Sequence, residues 1–248
     1  MNLGIADHVA LVTGAGRGLG AGITTALARE GVYIICLDRD TSANEQTQRL
    51  IDDGARAQPV IVDVTDPVAV TTAVELLRKE LGHIEILVNC AGFSRDAPIT
   101  ELTDEAWNAV VDVNLNGAFY VTRAVVRAMK EQQYGRIVNI SSRAWRGDDC
   151  KANYSAAKAG LVGFTGALAI ELGKANITVN AIAPGFVETE RVRELPYFDS
   201  IHERALTLSY TTRLGEPEDV ASLVAYLSSV HAGFLTGEVV TVAGGRLR

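Results

Sequence analysis

The sequence predicts an α/β chain built on a doubly wound parallel sheet of about seven strands, with helices on both faces. Three observations predict it. Short apolar runs alternate with helical stretches from one end of the chain to the other. Runs such as Val32 to Leu37 are apolar at successive positions, as suits strands covered on both faces. The first run also leads directly into a glycine-rich turn ahead of a helix.

Val9 to Thr13 is the first strand, and the helix after it runs from Leu19 to Arg29, where Gly31 stops it. Val32 to Leu37 is the second strand. A polar amphipathic helix covers about Ser42 to Asp53, and a strand follows from about Gln58 to Val62. Asp66-Pro67 opens the next helix, with proline in its favoured first turn, and the helix ends by Gly82. Glu85 to Asn89 is the fourth strand. Thr103 caps one long helix through Trp107, Val111 and Leu115 to Met129. Arg136 to Ile140 is the fifth strand, a helix carrying Tyr154 runs to about Gly173, and Ile177 to Ile182 is the sixth strand. Pro184 to Glu216 reads as irregular. Pro217 begins the last helix, and Glu238 to Val242 is the last strand. No shift in composition divides the chain, so residues 1–248 read as one Rossmann-like domain.

Nearly half of the 248 residues are apolar (48%), enough for a sizeable core, and the formal net charge is −7. Lysine and arginine form no run, so neither nucleic acid nor an anionic membrane is an expected partner. Cys36, Cys90 and Cys150 make no CxxC pair. No disulfide framework and no metal site is expected, and free thiols suit a reducing compartment. The stretch before Val9 is too short and polar for a signal peptide, and no apolar run approaches a membrane span; a cytoplasmic location is expected.

The first turn, Thr13 to Gly20, has the spacing TGxxxGxG, with glycines at 14, 18 and 20. Small residues there let the backbone approach a pyrophosphate, whose charge sits on the free N–H groups of the helix start. Gly14, Arg17, Gly18 and Leu19 are therefore expected cofactor contacts. The second strand runs into Asp38, whose carboxylate can accept both adenosine ribose hydroxyls and would repel a 2′-phosphate. That favours NAD over NADP. Arg17 and Arg39 argue the other way, because a guanidinium can bind that phosphate. Repulsion weighs more: placing a dianion against a carboxylate is costlier than a solvated arginine can offset.

Tyr154 and Lys158 lie four residues apart, one turn along a helix face. Hydride transfer between a secondary alcohol and a ketone needs a group that takes or gives the hydroxyl proton. A free phenol, with a pKa near ~10, is a poor base at neutral pH. An ammonium about 4 Å away, at an effective dielectric of ~20, favours the phenolate by roughly 4 kcal/mol, or about three pK units. Burial opposes this, so a smaller net lowering is expected.

Taken in order, Thr13-Gly14, Gly18, Gly20, Asp63-Val64, Asn89-Cys90-Ala91-Gly92, Asn114, Ser142, Tyr154, Lys158, Asn180, Pro184-Gly185, Thr189, Thr236-Gly237 and Gly244-Gly245 span nearly the whole chain. With them the chain resembles the short-chain dehydrogenase/reductase family in its single-domain form, and within it bacterial 3-oxoacyl-thioester reductases. The resemblance implies Asp63 and Val64 against the adenine. It implies that Asn89, Ala91 and Gly92 support the sheet and cofactor, and that Pro184, Gly185, Val187 and Thr189 lie along the nicotinamide. Tyr154 would be the acid/base. Lys158 would tune it and hold the nicotinamide ribose. Ser142 would orient the substrate oxygen, with Ser141 as its rival, and Asn114 would hold a water that links Lys158 to solvent. The spacing from Ser142 to Tyr154 is one residue shorter than the family's usual, and Cys90 stands where a second asparagine is common. A homotetramer is also implied.

Arg143 to Asp149 joins Ser142 to the Tyr154 helix and is expected to line the substrate side, with a lid at about 186–212 that carries Arg191, Arg193, His202 and Arg204 among several acids. Arg143 and Arg146 suit an anionic or CoA-linked substrate, or are simply solvated charges. The expected activity is NAD(H)-dependent interconversion of a secondary alcohol and a ketone, with 3-hydroxyacyl/3-oxoacyl thioesters the implied substrates. Polyol, cyclic-alcohol, steroid-like and dihydrodiol substrates are the alternatives, and a nucleotide-binding sensor without turnover is a third reading.

Overall fold

A computed structural model of the chain describes residues 2–194, 196 and 198–246, apart from the side chain of residue 191. Among these residues seven strands form one parallel sheet in the order β3-β2-β1-β4-β5-β6-β7. They are β1 (Val9–Thr13), β2 (Tyr33–Asp38), β3 (Ala57–Ile61), β4 (Ile86–Asn89), β5 (Gly135–Ile140), β6 (Ile177–Pro184) and β7 (Val239–Val242). The helices between them are α1 (Gly18–Arg29), α2 (Ser42–Asp52), α3 (Pro67–Leu81), α4 (Asp104–Val111), α5 (Gly117–Gln132), α6 (Ala152–Leu172), α7 (Glu190–Arg193), α8 (Phe198–Thr207) and α9 (Pro217–Ser228).

The period of two along each strand sorts the core into two halves. Ala10, Val12, Ile34, Cys36, Ile86 and Val88 point to one face and meet Ile23 and Leu27 of α1 and Val220 and Val224 of α9. Their alternates Leu11, Ile35, Leu37 and Leu87 point to the other and meet Val70 and Val74 of α3, Val121 and Val125 of α5 and Leu172 of α6. Helix starts follow local chemistry: Asp66 accepts the N–H groups of Val68 and Ala69 ahead of Pro67, and Thr103 accepts that of Ala106.

Three expectations are corrected. The long helix from Thr103 to Met129 is α4 and α5 joined by a π-helical turn, Asp112–Asn116. The side chain of Asn114 in that turn donates to the Val110 carbonyl, and Gly117 brings the backbone against Val64. The stretch read as irregular holds α7 and α8. Finally, an apolar run of spanning length does exist: Ala152–Ala175 is long and apolar enough by length and composition to cross a membrane. A core helix passes the same test, and α6 packs on β6 with Lys158, Leu161 and Thr165 buried.

Candidate active site

Strand order reverses between β1 and β4. Their helices pack on opposite faces, so the carboxyl ends of these two strands open a crevice. Thr13 fastens the two ends together: its Oγ1 accepts the N–H groups of Cys90 at 3.0 Å and Ala91 at 3.1 Å. The glycine turn follows at once. Gly14 has a φ of 65°, and a β-carbon there would lie 2.8 Å from the Ala91 Cα, so conformation and space both exclude a side chain. Arg17, at the N-cap of α1, makes no side-chain cap, which leaves the first N–H groups of that helix for an anion. The crevice is a cavity of about 970 Å³, the size of a dinucleotide with room for a small substrate.

Gly14, Arg17, Gly18, Leu19, Asp38, Asp63, Val64, Ala91, Gly92, Pro184, Gly185, Val187 and Thr189 all lie on its wall, as do Ser142, Tyr154 and Lys158. Asn89 does not. Its buried amide donates to Thr122 Oγ1 at 2.9 Å and Asn139 Oδ1 at 2.8 Å, which ties the sheet to α5. That side chain is committed to the scaffold, in keeping with the expected support of the sheet. Asp38 is held at the cavity edge by two backbone donors, Gly16 N–H at 3.0 Å and Arg39 N–H at 2.8 Å. Arg17 is turned to Asp40, 2.7 Å away, with both side chains exposed.

At the other end, α6 presents Tyr154 and Lys158 one turn apart. Asn153, fully buried in the first turn of this helix, accepts the Tyr154 N–H on its Oδ1 at 2.7 Å and donates through Nδ2 to the Arg95 carbonyl at 3.0 Å. Lys158 is buried, donates to the Ile140 carbonyl at 2.8 Å, and holds its Nζ 5.5 Å from the centroid of the Tyr154 ring. The Ser142 hydroxyl lies beside the Tyr154 phenol, where it lowers the phenol's proton affinity, and accepts the Ala144 N–H at 3.2 Å. Ser141 turns the other way and donates to the Lys158 carbonyl at 3.1 Å. The short connection from Ser142 to α6 closes through a 3-10 turn, Arg143–Arg146, and left-handed backbone at Cys150 (φ 56°).

Burial governs the ionisation of both partners. It pushes the Tyr154 phenol up to about 12, against a smaller lowering from the Ser142 hydrogen bond, and pulls the Lys158 ammonium down to about 8. The expected net lowering of the phenol is therefore corrected. The ammonium lies under the ring, spends a hydrogen bond on a carbonyl, and does not offset the lost hydration. Cys90, on the cavity wall, has its thiol pushed up to about 12 by burial and stays protonated.

Asn114 lies behind the wall on the π turn. Its Nδ2 donates to the Phe93 carbonyl at 2.8 Å and to Val110, while its Oδ1 is buried with no partner. A β-carbon on Gly92 would collide with that oxygen and lie 3.3 Å from Lys158 Nζ, so Gly92 lies beside both groups. Phe93, Ser94, Val113 and Ile140 also line the cavity and were not anticipated; nothing in their spacing marks them. Asn153 was missed too; it lies inside the first turn of α6, where nothing in the sequence marks its contact with Arg95. Around the expected lid, Glu188 pairs with His202 at 2.9 Å and Arg193 at 3.1 Å. The Arg191 side chain and residues 195 and 197 lie outside the described residues.

A crevice of this kind belongs to an oxidoreductase acting on CH–OH and C=O groups with a nicotinamide dinucleotide. Comparison with known proteins narrows the class. The model of a family described as "Enoyl-(Acyl carrier protein) reductase" matches residues 14–246. The "Short-chain reductase protein NovJ" of Streptomyces niveus is 44% identical over 246 residues, 97% of this chain and 94% of that one. The "3-oxoacyl-[acyl-carrier-protein] reductase FabG" of Escherichia coli K12 is 41% identical over 242 residues, 96% of each chain. Among solved structures, a gluconate 5-dehydrogenase from Burkholderia cenocepacia in complex with NADP and tartrate superposes with a TM-score of 0.92 at 29% identity, covering 99% of this chain and 97% of that one. The chain belongs to the short-chain dehydrogenase/reductase family.

Proposed function

We propose that this chain is an NAD(H)-dependent reductase/dehydrogenase of 3-oxoacyl and 3-hydroxyacyl thioesters. The observation that carries the chemistry is the meeting of the Ser142 hydroxyl, the Tyr154 phenol and the buried Lys158 on one wall of the cavity. A carbonyl oxygen placed between the two hydroxyls accepts from both. Ser142 orients it, and Tyr154 gives it a proton in reduction or takes one in oxidation. With its pKa near 12 the phenol is charged with a proton at every working pH, which suits the reductive direction. Lys158 holds positive charge beneath the ring and donates toward the sugar of the cofactor. Asn114 Oδ1, without a protein partner, accepts from a water that reaches Lys158 past Gly92. When bound, the nicotinamide supplies the hydride; the glycine turn, Asp63, Val64 and the Pro184–Thr189 stretch position it.

The Asp38 carboxylate supports NAD over NADP, since both its oxygens are fixed by backbone donors where the adenosine ribose would lie. The thioester substrate is supported by the 3-oxoacyl reductase at 41% identity. A polyol or sugar-acid substrate is the second reading, favoured by the gluconate dehydrogenase neighbour. The lid at about 186–212, with α7 and α8, closes over the substrate. Exposed Ile170 and Phe234 are apolar surfaces for subunit contact in a homotetramer, and free thiols at three cysteines suit the cytoplasm.

The test is spectrophotometric. Purified protein is assayed with NADH and with NADPH against acetoacetyl-CoA and against 5-ketogluconate. Turnover of acetoacetyl-CoA with a preference for NADH is expected; turnover of the keto acid alone would reject the thioester reading, and preference for NADPH would reject the role given to Asp38.

A further inference from the structure

Arg143 directly follows Ser142, and its guanidinium is turned inward. Its Nη2 donates to Asp148 Oδ2 at 2.8 Å, with the two side chains only 13% and 25% exposed. The chain between them reverses on itself. Arg143–Arg146 forms the 3-10 turn, and the Gly147 N–H donates to the Ala144 carbonyl at 2.9 Å. Gly147, at a φ of 103°, then brings the backbone round so that Asp148 returns to Arg143. The carboxylate is held in its turn, because Asp148 Oδ1 accepts the Asp149 N–H at 3.2 Å. Ser142 belongs to the same closed unit. Its carbonyl accepts the Trp145 N–H at 3.0 Å, and its Oγ accepts the N–H of the buried Ala144 at 3.2 Å. The turn packs against α6, the helix of Tyr154. Whatever keeps the turn closed therefore sets the direction of the Ser142 hydroxyl.

The connection has a second ion pair, Lys151 with Asp96 at 3.3 Å, but it lies on the outside, 30% and 43% exposed. Beside it the Ala97 N–H donates to the Cys150 carbonyl at 2.8 Å, so that end is also held by backbone. The two pairs differ in what their loss costs. An exposed pair contributes little, because water takes over each partner. A mostly buried pair leaves an uncompensated charge when one partner is removed, and the turn must open to hydrate it. Opening moves the Ala144 N–H and with it the Ser142 hydroxyl. A misplacement of about 1 Å at a reacting group costs about 10²-fold in rate.

We propose that Arg143 and Asp148 are positioning residues for the reaction: their ion pair braces the turn that aims the Ser142 hydroxyl at the substrate oxygen. The proposal rests on the role that the functional reading above gives to Ser142. The brace itself does not depend on which substrate is turned over.

Two measurements test it. In steady-state kinetics with NADH and acetoacetyl-CoA, Arg143→Gln and Asp148→Asn are each expected to lower kcat by at least about 10-fold with KM within about 3-fold. The double variant is expected to lose no more than the worse single one, since either change breaks the same pair. In a Ser142→Ala background the same substitutions are expected to change kcat by less than about 2-fold, and Lys151→Met to change it no more than that in the wild-type background. Losses that multiply in the double variant, that persist at full size without the Ser142 hydroxyl, or that Lys151→Met matches overturn the proposal. Here kcat is taken per NADH-binding site, so that partial folding does not imitate the effect, and Asp148→Asn, which keeps the side chain's size, decides alone should Arg143→Gln not fold. The second measurement needs no turnover. Trp145 lies in the turn with its indole N–H buried, and Trp107→Phe leaves it as the only tryptophan. Asp148→Asn is expected to raise acrylamide quenching of Trp145 fluorescence by about 2-fold, as the turn opens, and Lys151→Met to leave it unchanged. Quenching unchanged in Asp148→Asn, or raised equally by Lys151→Met, overturns the brace. If wild type turns over no acetoacetyl-CoA, the thioester reading fails, and the fluorescence alone decides the brace.

Discussion

The carboxylate of Asp38 accepts the backbone N–H of Gly16 at 3.0 Å, so the acid that ends β2 and the glycine turn after β1 form one unit. Replacing Asp38 therefore removes two things together: the expected partner of the adenosine ribose and a brace for the phosphate turn. Asp38→Ser is expected to weaken NADH binding by about 10- to 100-fold, since charged hydrogen bonds contribute about 1.5–3 kcal/mol, and to narrow the gap to NADPH. Fluorescence titration with both cofactors checks this. An unchanged NADH:NADPH ratio would show that the acid only braces the turn.

Tyr154→Phe keeps the ring that packs over Lys158 and removes the proton. Cofactor affinity is expected to hold while kcat falls by about 10²–10⁴-fold. The pH profiles give a second check. A phenol near 12 must lose its proton for alcohol oxidation, so that rate rises with pH through the neutral and alkaline range. Ketone reduction needs the proton in place and shows no loss from Tyr154 over the same range. A reductive profile that falls with a midpoint below 9 would point to another acid.

The two adjacent serines separate structure from chemistry. Ser141 is buried and donates to the Lys158 carbonyl, so Ser141→Ala is expected to lower stability by about 1 kcal/mol with kcat/KM nearly intact. Ser142→Ala is expected to keep stability within about 1 kcal/mol, because the lost partners are a weak cap to Ala144 and the neighbouring Tyr154 phenol, and to reduce kcat/KM by about 10²-fold. Urea denaturation and steady-state kinetics on the same two variants would expose a reversed assignment.

Lys158 is a burden on the fold. Unfolded, its ammonium keeps a proton below 10.5; folded, only below about 8. Between those values the unfolded chain binds more protons, so this group makes stability rise with pH across that window, and below it the handicap is fully present, on the order of 3 kcal/mol. Lys158→Met removes the handicap but leaves the Ile140 carbonyl without its partner, a loss of about 1–3 kcal/mol. A net gain of about 0–2 kcal/mol at pH 7 is expected, with activity abolished. The gain should shrink as pH approaches 10; a constant or growing gain would contradict the buried-charge account.

The sheet is legible in the chain because buried parallel strands are apolar at successive positions, and Asp66-Pro67 and Thr103 announce helix starts through their own hydrogen bonds. The π turn at Asn114 is not legible, because α4 and α5 keep a helical pattern on either side and the widening at Asp112–Asn116 lies in the backbone. The partners of Asn89 are not legible for a related reason: an asparagine at a strand end looks the same whatever its amide meets, here Thr122 and Asn139. The spacing of Tyr154 and Lys158 shows that they meet; it does not show how little water reaches them, and that decides their proton affinities.

The fastening of β1 to β4 through Thr13 bears on how the chain is made. The residues it joins lie 77 and 78 positions apart. While a ribosome is still delivering α3, β1 has β2 on one side and nothing on the other, and a largely apolar strand with a bare edge invites pairing with other chains. The nucleotide crevice does not exist during that interval. It is completed only when β4 docks, so cofactor binding cannot rescue the nascent first half and reports instead that the vulnerable edge has been sealed.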